Sequence, residues 1–405
     1  MAPTCLLIDT DPGVDDILAI LLALSSRPEE VEVALISVTY GNVPLQKCMR
    51  NLVTLFKVLE EEQAWRARQG KAPLYATMPA NKPIFYDQDG LHGVHDKLPH
   101  FSMSDDSWKA LFSPELTTTT RRPNDQSNTP NTSKYFHRSQ KPANKEILHI
   151  LRETPKDTII IVALGPLTTL ALAADEDPET FLKVKEVVVM GGAIDVKGNA
   201  SPVVEFNIYA DAIAAARVFA LTSPDPRGTM PTRSALPPYL PERLSGRLRL
   251  TLVPLNITRC HVLSRQVFGE IVTPSVEAGS PLATFVDGFM RGMFDWIEAV
   301  KPRHGEPVFP LFDPLAVWYA MTSSGSAWEV TEKLDIRVET CGEWTKGMLI
   351  LDRRSLVRPS QTNVRAIEAG PEEWSGVRAG NRVNRIVRAP EGICLAKHMM
   401  HRIFD

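Results

Sequence analysis

Cysteine is scarce in this chain and poorly spaced for cross-linking. Five occur in 405 residues, Cys5, Cys48, Cys260, Cys341 and Cys394, with no CxxC pair and no neighbouring histidine cluster. An odd, scattered set excludes a disulfide framework or a zinc knuckle and reads as buried thiols in a reducing compartment. Basic charge is not in excess either. The formal net charge is −3, with no concentrated basic stripe, which argues against nucleic acid as a partner. No apolar run approaches the ~20 residues needed to cross a bilayer. The opening MAPTCLLIDTD carries no basic leader, so the expectation is a cytoplasmic protein with no membrane contact. Internal repeats of solenoid length are also missing.

What the chain does have is ordinary globular composition, 43% hydrophobic and 23% charged, and a clear rhythm. TCLLID reads as a buried strand, DDILAILLALSS as a helix covered on most sides, VEVALISVTY as a second strand and LQKCMRNLVTLFKVLEEEQAWRARQ as a long amphipathic helix. The alternation returns at DTIIIVAL with LTTLALAA, at VKEVVVMGG, at DAIAAARVFAL and at LRLTLVPLNIT, and GICLAKHMMHRIF closes the chain as a helix. This pattern predicts an α/β fold, an open, mostly parallel sheet with helices on both faces. Two stretches break it. Residues 113–142 are rich in Ser, Thr, Asn and Pro and read as a disordered insert; residues 222–241 hold six prolines and read as a second irregular insertion. Neither divides chain halves of distinct composition, so residues 1–405 read as one domain.

The first strand runs into DTDPGVDD, with Asp9, Asp11, Asp15 and Asp16 inside eight positions. Ligands of an open parallel sheet gather where its strands end and its helices begin, and this stretch sits at such an end. One aspartate in a first helical turn is explained by the helix dipole. Four converging carboxylates are not, because they repel unless a proton or cation lies among them. Asp9 and Asp11, two apart, would share a side if the strand persisted. Oxygen donors at this density suit Ca²⁺ or Mg²⁺ rather than Zn²⁺. An EF-hand is excluded, since its closing Glu would fall on Ile20 or Leu22. A phosphotransferase of the haloacid dehalogenase type, with Asp9 and Asp11 as its Asp-x-Asp pair, stays open at this point.

DTDPGVDDILAI resembles the N-terminal signature of the inosine-uridine nucleoside hydrolase family. The resemblance continues in order through VTYGN (38–42), VALGPLTTLALAA (162–174), VVVMGGAI (187–194), GNASPVVEFNIYAD (198–211) and FDPLAV (312–317). It implies hydrolysis of the N-glycosidic bond of ribonucleosides, a small-molecule substrate, one Ca²⁺, and a homodimer or homotetramer. Carried onto this chain, it makes Asp11, Asp16 and Asp313 metal ligands, with the Leu164 carbonyl as the fourth. Asp11 doubles as general base, and Asp15 holds the ribose 2′-hydroxyl. Asn42, Asn199, Glu205 and Asn207 fall among the ribose-gripping positions. Read alone, Asn42 is a turn cap, whereas Glu205 and Asn207, two apart, would share one face of an extended segment.

The base-binding half departs from the pattern. Phe312 stands where many relatives carry a His associated with leaving-group protonation, and phenylalanine donates no proton. Purine-preferring relatives stack an aromatic there, a role open to Phe312 beside that of a core side chain. In the stretch 84–101, two registers put either Tyr86 or His92 at the family's base-contacting histidine; His92, His95 and His100 otherwise read as solvated loop residues. Asn256 and Arg259 replace an Asp and a His common in relatives. A catalytically weak riboside-binding homologue is therefore the alternative function.

Overall fold

The computed structural model describes residues 2–74, 91, 98, 100–101, 139, 141–231, 236–241, 243–300, 305–325, 327–351 and 380–405. Its elements begin with β1 (Thr4–Thr10), α1 (Val14–Leu24), β2 (Val31–Val38), α2 (Leu45–Arg68), α3 (Ala143–Glu153), β3 (Ile159–Ala163), α4 (Thr168–Glu176), α5 (Pro178–Phe181) and β4 (Glu186–Met190). They continue with α6 (Phe206–Ala210), α7 (Ala212–Ala220), β5 (Leu250–Val253), α8 (Leu255–Thr258), β6 (Val262–Ser264), α9 (Arg265–Glu277) and α10 (Pro281–Val300). The last are β7 (Val308–Pro310), α11 (Phe312–Thr322), β8 (Glu329–Leu334), β9 (Ile336–Val338), β10 (Leu349–Leu351), β11 (Val383–Arg388) and α12 (Leu395–Phe404).

Seven strands form the main sheet in the order β2-β1-β3-β4-β5-β11-β8. All neighbours run parallel except β8, which lies antiparallel on β11. The expected α/β architecture is therefore present. Leu6, Leu7 and Ile8 are completely buried because β1 is covered on both faces. Leu6 and Ile8 pack into one apolar layer with α1, α2, α10, α11 and α12; Leu7 packs into the other with α3, α4 and α7. Strand order reverses at β1, since the chain goes outward to β2 and then returns to β3 on the other side. The crevice at the carboxyl ends of β1 and β3 is thus the topological switch point where an open α/β sheet binds ligands.

Several expectations change. Only Cys48 of the five cysteines is buried; Cys260, Cys341 and Cys394 are exposed and Cys5 is intermediate, all without disulfides. The exposed three lie in connections between elements, outside any packed face, which spacing could not reveal. Of the stretch 113–142, only residues 139, 141 and 142 are described. The described parts of 222–241 are irregular apart from a 3-10 turn at Pro226–Gly228, and the stretch is tied down by the buried Tyr239, whose hydroxyl donates to the Arg217 carbonyl at 2.9 Å. Among the described residues, no helix is long and apolar enough to cross a membrane.

Candidate active site

Strand β1 ends at Thr10 because Pro12 cannot donate to a ladder and Gly13 begins the next helix. In the tight turn between them, three donors converge on Asp16. The Gly13 amide meets Oδ2 at 3.0 Å, while the Asp11 amide and Thr10 hydroxyl meet Oδ1 at 3.2 and 2.5 Å. The turn is held from outside by the buried Asn51 of α2, whose amide donates to the Pro12 carbonyl at 2.7 Å.

Asn42, on the loop after β2, reaches the same carboxylates. Its backbone amide donates to Asp11 Oδ2 at 2.5 Å, and its side chain donates to Asp16 Oδ2 at 2.9 Å and to the Asp11 carbonyl at 3.2 Å. A side chain at position 13 would fall 2.7 Å from the Asn42 amide nitrogen, and one at position 165 would fall 2.5 Å from Asp11 Oδ1, so both places require glycine. Asn42 is therefore part of the acidic group and more than a turn cap.

The far end of the polypeptide completes the group. Asp313, in the first turn of α11, packs its helix against α1 and brings its carboxylate to Asp15 and Asp16; ligand oxygens of the three lie within 4.8 Å of one another. Burial lifts Asp15 to about 7, and the charge of Asp16 adds to the effect. Burial, reinforced by neighbouring aspartates, holds Asp11 and Asp313 well above the usual carboxylate range. Asp16 is raised by burial in spite of its donors. Asp11 Oδ1 is buried without a hydrogen-bond partner. Four crowded carboxylates, one with an unengaged buried oxygen, suit a hard divalent cation, which would relieve their repulsion.

Asp9 stands apart. It lies on the Leu7 side of β1 and accepts from Ser37 Oγ at 2.5 Å, inside the layer opposite to Ile8, and burial lifts it to about 7. The strand ends before Asp11, so the two do not share a side. That separation removes the Asp-x-Asp phosphotransferase reading.

Asn207 and Glu205 come from a short helix, not from an extended segment. Glu205 caps α6, accepting from Asn207 N at 2.7 Å and from Ile208 N at 3.1 Å, and also from Gly192 N at 2.9 Å. Its carboxyl is raised by burial against these donors. Asn207 turns inward and donates to the Leu164 carbonyl at 2.6 Å and the Met190 carbonyl at 3.2 Å. Leu164 is itself fixed by its amide donating to the Asp9 carbonyl at 2.7 Å. Asn199 is exposed and accepts from Phe206 N at 2.8 Å. Phe312, half-buried at the start of α11, packs on the apolar layer beside Asp313. Tyr86, His92 and His95 lie outside the described residues.

Sequence reasoning missed Thr10 and Asn51. Asn51 left a readable trace, a lone amide within the apolar stripe of Cys48, Leu52 and Leu55 on α2. Thr10 left none, because a strand buried on both faces has no polar side to mark it.

A family model described as inosine-uridine preferring nucleoside hydrolase matches residues 6–373. The chain belongs to that family. Among curated nucleoside hydrolase relatives, a pyrimidine-specific ribonucleoside hydrolase RihA from Salmonella newport is 27% identical over 347 residues, 86% of this chain and 88% of the relative. Uridine nucleosidase 1 from Arabidopsis thaliana is 32% identical over 214 residues, 53% of this chain and 52% of the relative. In fold, the chain is similar to a purine-preferring ribonucleoside hydrolase from Gardnerella vaginalis, with a TM-score of 0.59 at 21% identity over 98% of both chains. As a nucleoside hydrolase, the chain is a hydrolase acting on small-molecule nucleosides. The family is metal-dependent in general, and the acidic group at the switch point could bind a metal.

Proposed function

We propose that this nucleoside hydrolase cleaves ribonucleosides to ribose and free base with the help of Ca²⁺. The carrying observation is the buried acidic group drawn from both ends of the polypeptide, with the unengaged Asp11 Oδ1 at its edge. Asp11, Asp16, Asp313 and the Leu164 carbonyl would hold the ion; the donors are all oxygen, which favours Ca²⁺ over a softer metal. When bound, Ca²⁺ supplies orientation of water and of the ribose diol and lowers the water's pKa.

The chain's own residues do the rest. Breaking the ribosyl–base bond builds positive charge on the sugar, which the buried carboxylates stabilise. Asp11 takes the proton of the attacking water on Oδ1 while the Asn42 amide holds its other oxygen in place. Asp15 accepts from the ribose 2′-hydroxyl, and Asn42, Asn199, Glu205 and Asn207 fix the remaining sugar oxygens. Phe312 stacks on the departing base, in company with Tyr86 or His92. The working form is a cytoplasmic homodimer or homotetramer.

A second reading, a riboside-binding homologue of low turnover, is favoured by Phe312, which places no proton donor next to Asp313. Incubation with inosine, guanosine, uridine and cytidine, followed by a reducing-sugar assay, separates the two. Ribose release that stops when Ca²⁺ is chelated supports hydrolysis. Tight riboside binding without release supports the alternative.

A further inference from the structure

Asn256 in α8 and Arg259 immediately after it both reach for one loop. Asn256 accepts from the Ile194 amide at 3.1 Å and donates its own amide to the Ile194 carbonyl at 2.5 Å. Arg259 forks onto the next part of that loop, meeting the Lys197 carbonyl at 2.7 Å and the Gly198 carbonyl at 3.0 Å. The Leu255 amide adds a bond to the Gly192 carbonyl at 2.8 Å. Between these anchors the backbone passes through Asp195 at φ 58, a left-handed conformation that few non-glycine residues adopt and that surrounding contacts must hold.

Beyond Gly198 the loop leads straight to the sugar-facing residues. The Gly198 amide meets the Pro202 carbonyl at 3.0 Å and the Asn199 amide meets Val204 at 3.1 Å, so the segment closes into a compact turn. Asn199 and Glu205 then grasp the first amides of α6, and Glu205 returns to Gly192. The loop is thus pinned at its start by Glu205 and Leu255 and along its length by Asn256 and Arg259. An ionised Asp at 256 would accept from the Ile194 amide but could donate nothing to the Ile194 carbonyl, and a histidine at 259 has no fork to span two carbonyls. The pair in this chain is matched to main-chain clamping.

We infer that Asn256 and Arg259 are positioning residues that set riboside affinity by stapling the 192–206 loop, and with it Asn199, Glu205 and Asn207, to the end of β5. This rests on the reading of those three residues as the ribose grip.

The test uses the full chain with Ca²⁺ and the variants Arg259→Met, Asn256→Leu and Arg259→Lys. Steady-state constants for inosine and uridine, Ca²⁺ affinity and tryptic cleavage after the exposed Lys197 are read in parallel. Loss of two main-chain bonds should raise KM about tenfold, more than any fall in kcat. Ca²⁺ affinity should fall by less than KM rises, because Asn207 keeps its own bonds to the Leu164 and Met190 carbonyls, and cleavage after Lys197 should quicken. Arg259→Lys, which keeps a cationic donor but loses the fork, should recover only part of the loss. Unchanged KM in both Arg259→Met and Asn256→Leu would overturn the inference, as would a fall in Ca²⁺ affinity as large as the rise in KM. If the unsubstituted chain neither binds nor cleaves ribosides, the ribose-grip reading fails and the inference falls with it. Unchanged cleavage after Lys197 would instead show that the staple itself does not hold the loop.

Discussion

The side-chain amide of Asn207 donates to the main-chain carbonyl of Leu164 at 2.6 Å, joining the α6 end of the site to the end of β3. Under the proposed function this bond couples the ribose grip to the metal shell, since one residue serves the sugar and the other the ion. Outer-shell partners of this kind orient ligands and typically change metal affinity about 10- to 100-fold when removed. Asn207→Ala should therefore weaken Ca²⁺ binding about tenfold as well as riboside binding. Calorimetric titration with Ca²⁺ checks this, and an unchanged affinity would remove the Leu164 carbonyl from the ligand set.

Asp16 is the acceptor for Thr10, Gly13 and Asn42 and a neighbour of Asp15 and Asp313. Under the proposed function, replacing it by alanine removes a ligand and unties the turn together. Asp16→Ala should abolish stoichiometric Ca²⁺ binding in equilibrium dialysis. A variant that still binds one ion per chain contradicts the ligand assignment.

Asn51 is completely buried and holds the Pro12 carbonyl at 2.7 Å. Asn51→Leu keeps the volume but leaves a buried carbonyl without this donor, at a cost of about 1–3 kcal/mol. Urea denaturation of the Ca²⁺-depleted chain measures it, and a loss well under 1 kcal/mol would show that the turn is held by other means.

The acidic group also sets a pH dependence. Asp9 and Asp15 are lifted to about 7 by burial, and Asp11, Asp16 and Asp313 are raised in the same direction. With raised values in the folded state, the native chain binds more protons than the unfolded one between their ordinary range near 4 and about 7. Stability of the Ca²⁺-depleted chain should be greatest at the acid side of that window and fall as pH rises through about 7. Saturating Ca²⁺ should flatten the slope. Denaturation midpoints at pH 5, 6, 7 and 8 decide it; a midpoint rising with pH in the depleted chain would be the wrong sign.

Phe312 begins α11 directly before Asp313 and has no proton to give. Phe312→His places a proton donor directly before Asp313. Turnover of purine nucleosides should rise about 100-fold or more if leaving-group protonation limits the rate. No gain in kcat would mean that stacking or solvent already does this work.

Much of this molecule was readable in order along the chain. Apolar runs such as LLI at 6–8, set in an alternating β-α rhythm, read as strands buried on both faces, and the crowding of Asp11, Asp15 and Asp16 after it calls for a positive charge or protons. The structural surprises fall where local pattern carries no information about facing. Glu205 and Asn207 occupy a helix cap instead of a strand, Asp9 turns to Ser37, and the exposed cysteines at 260, 341 and 394 sit on outer surfaces.

The sequence by itself determined the α/β layering and the acidic turn, because the alternation of apolar periodicities and the spacing of the aspartates are both written within short segments. Only the tertiary structure decided that Asp313 joins that turn, that Asn207 reaches Leu164 and that Asn256 and Arg259 grip the loop at 194–198. Those pairings link segments tens to hundreds of residues apart, and what brings them together is the packing of α11 on α1 and of neighbouring strand ends. No periodicity within either segment encodes it.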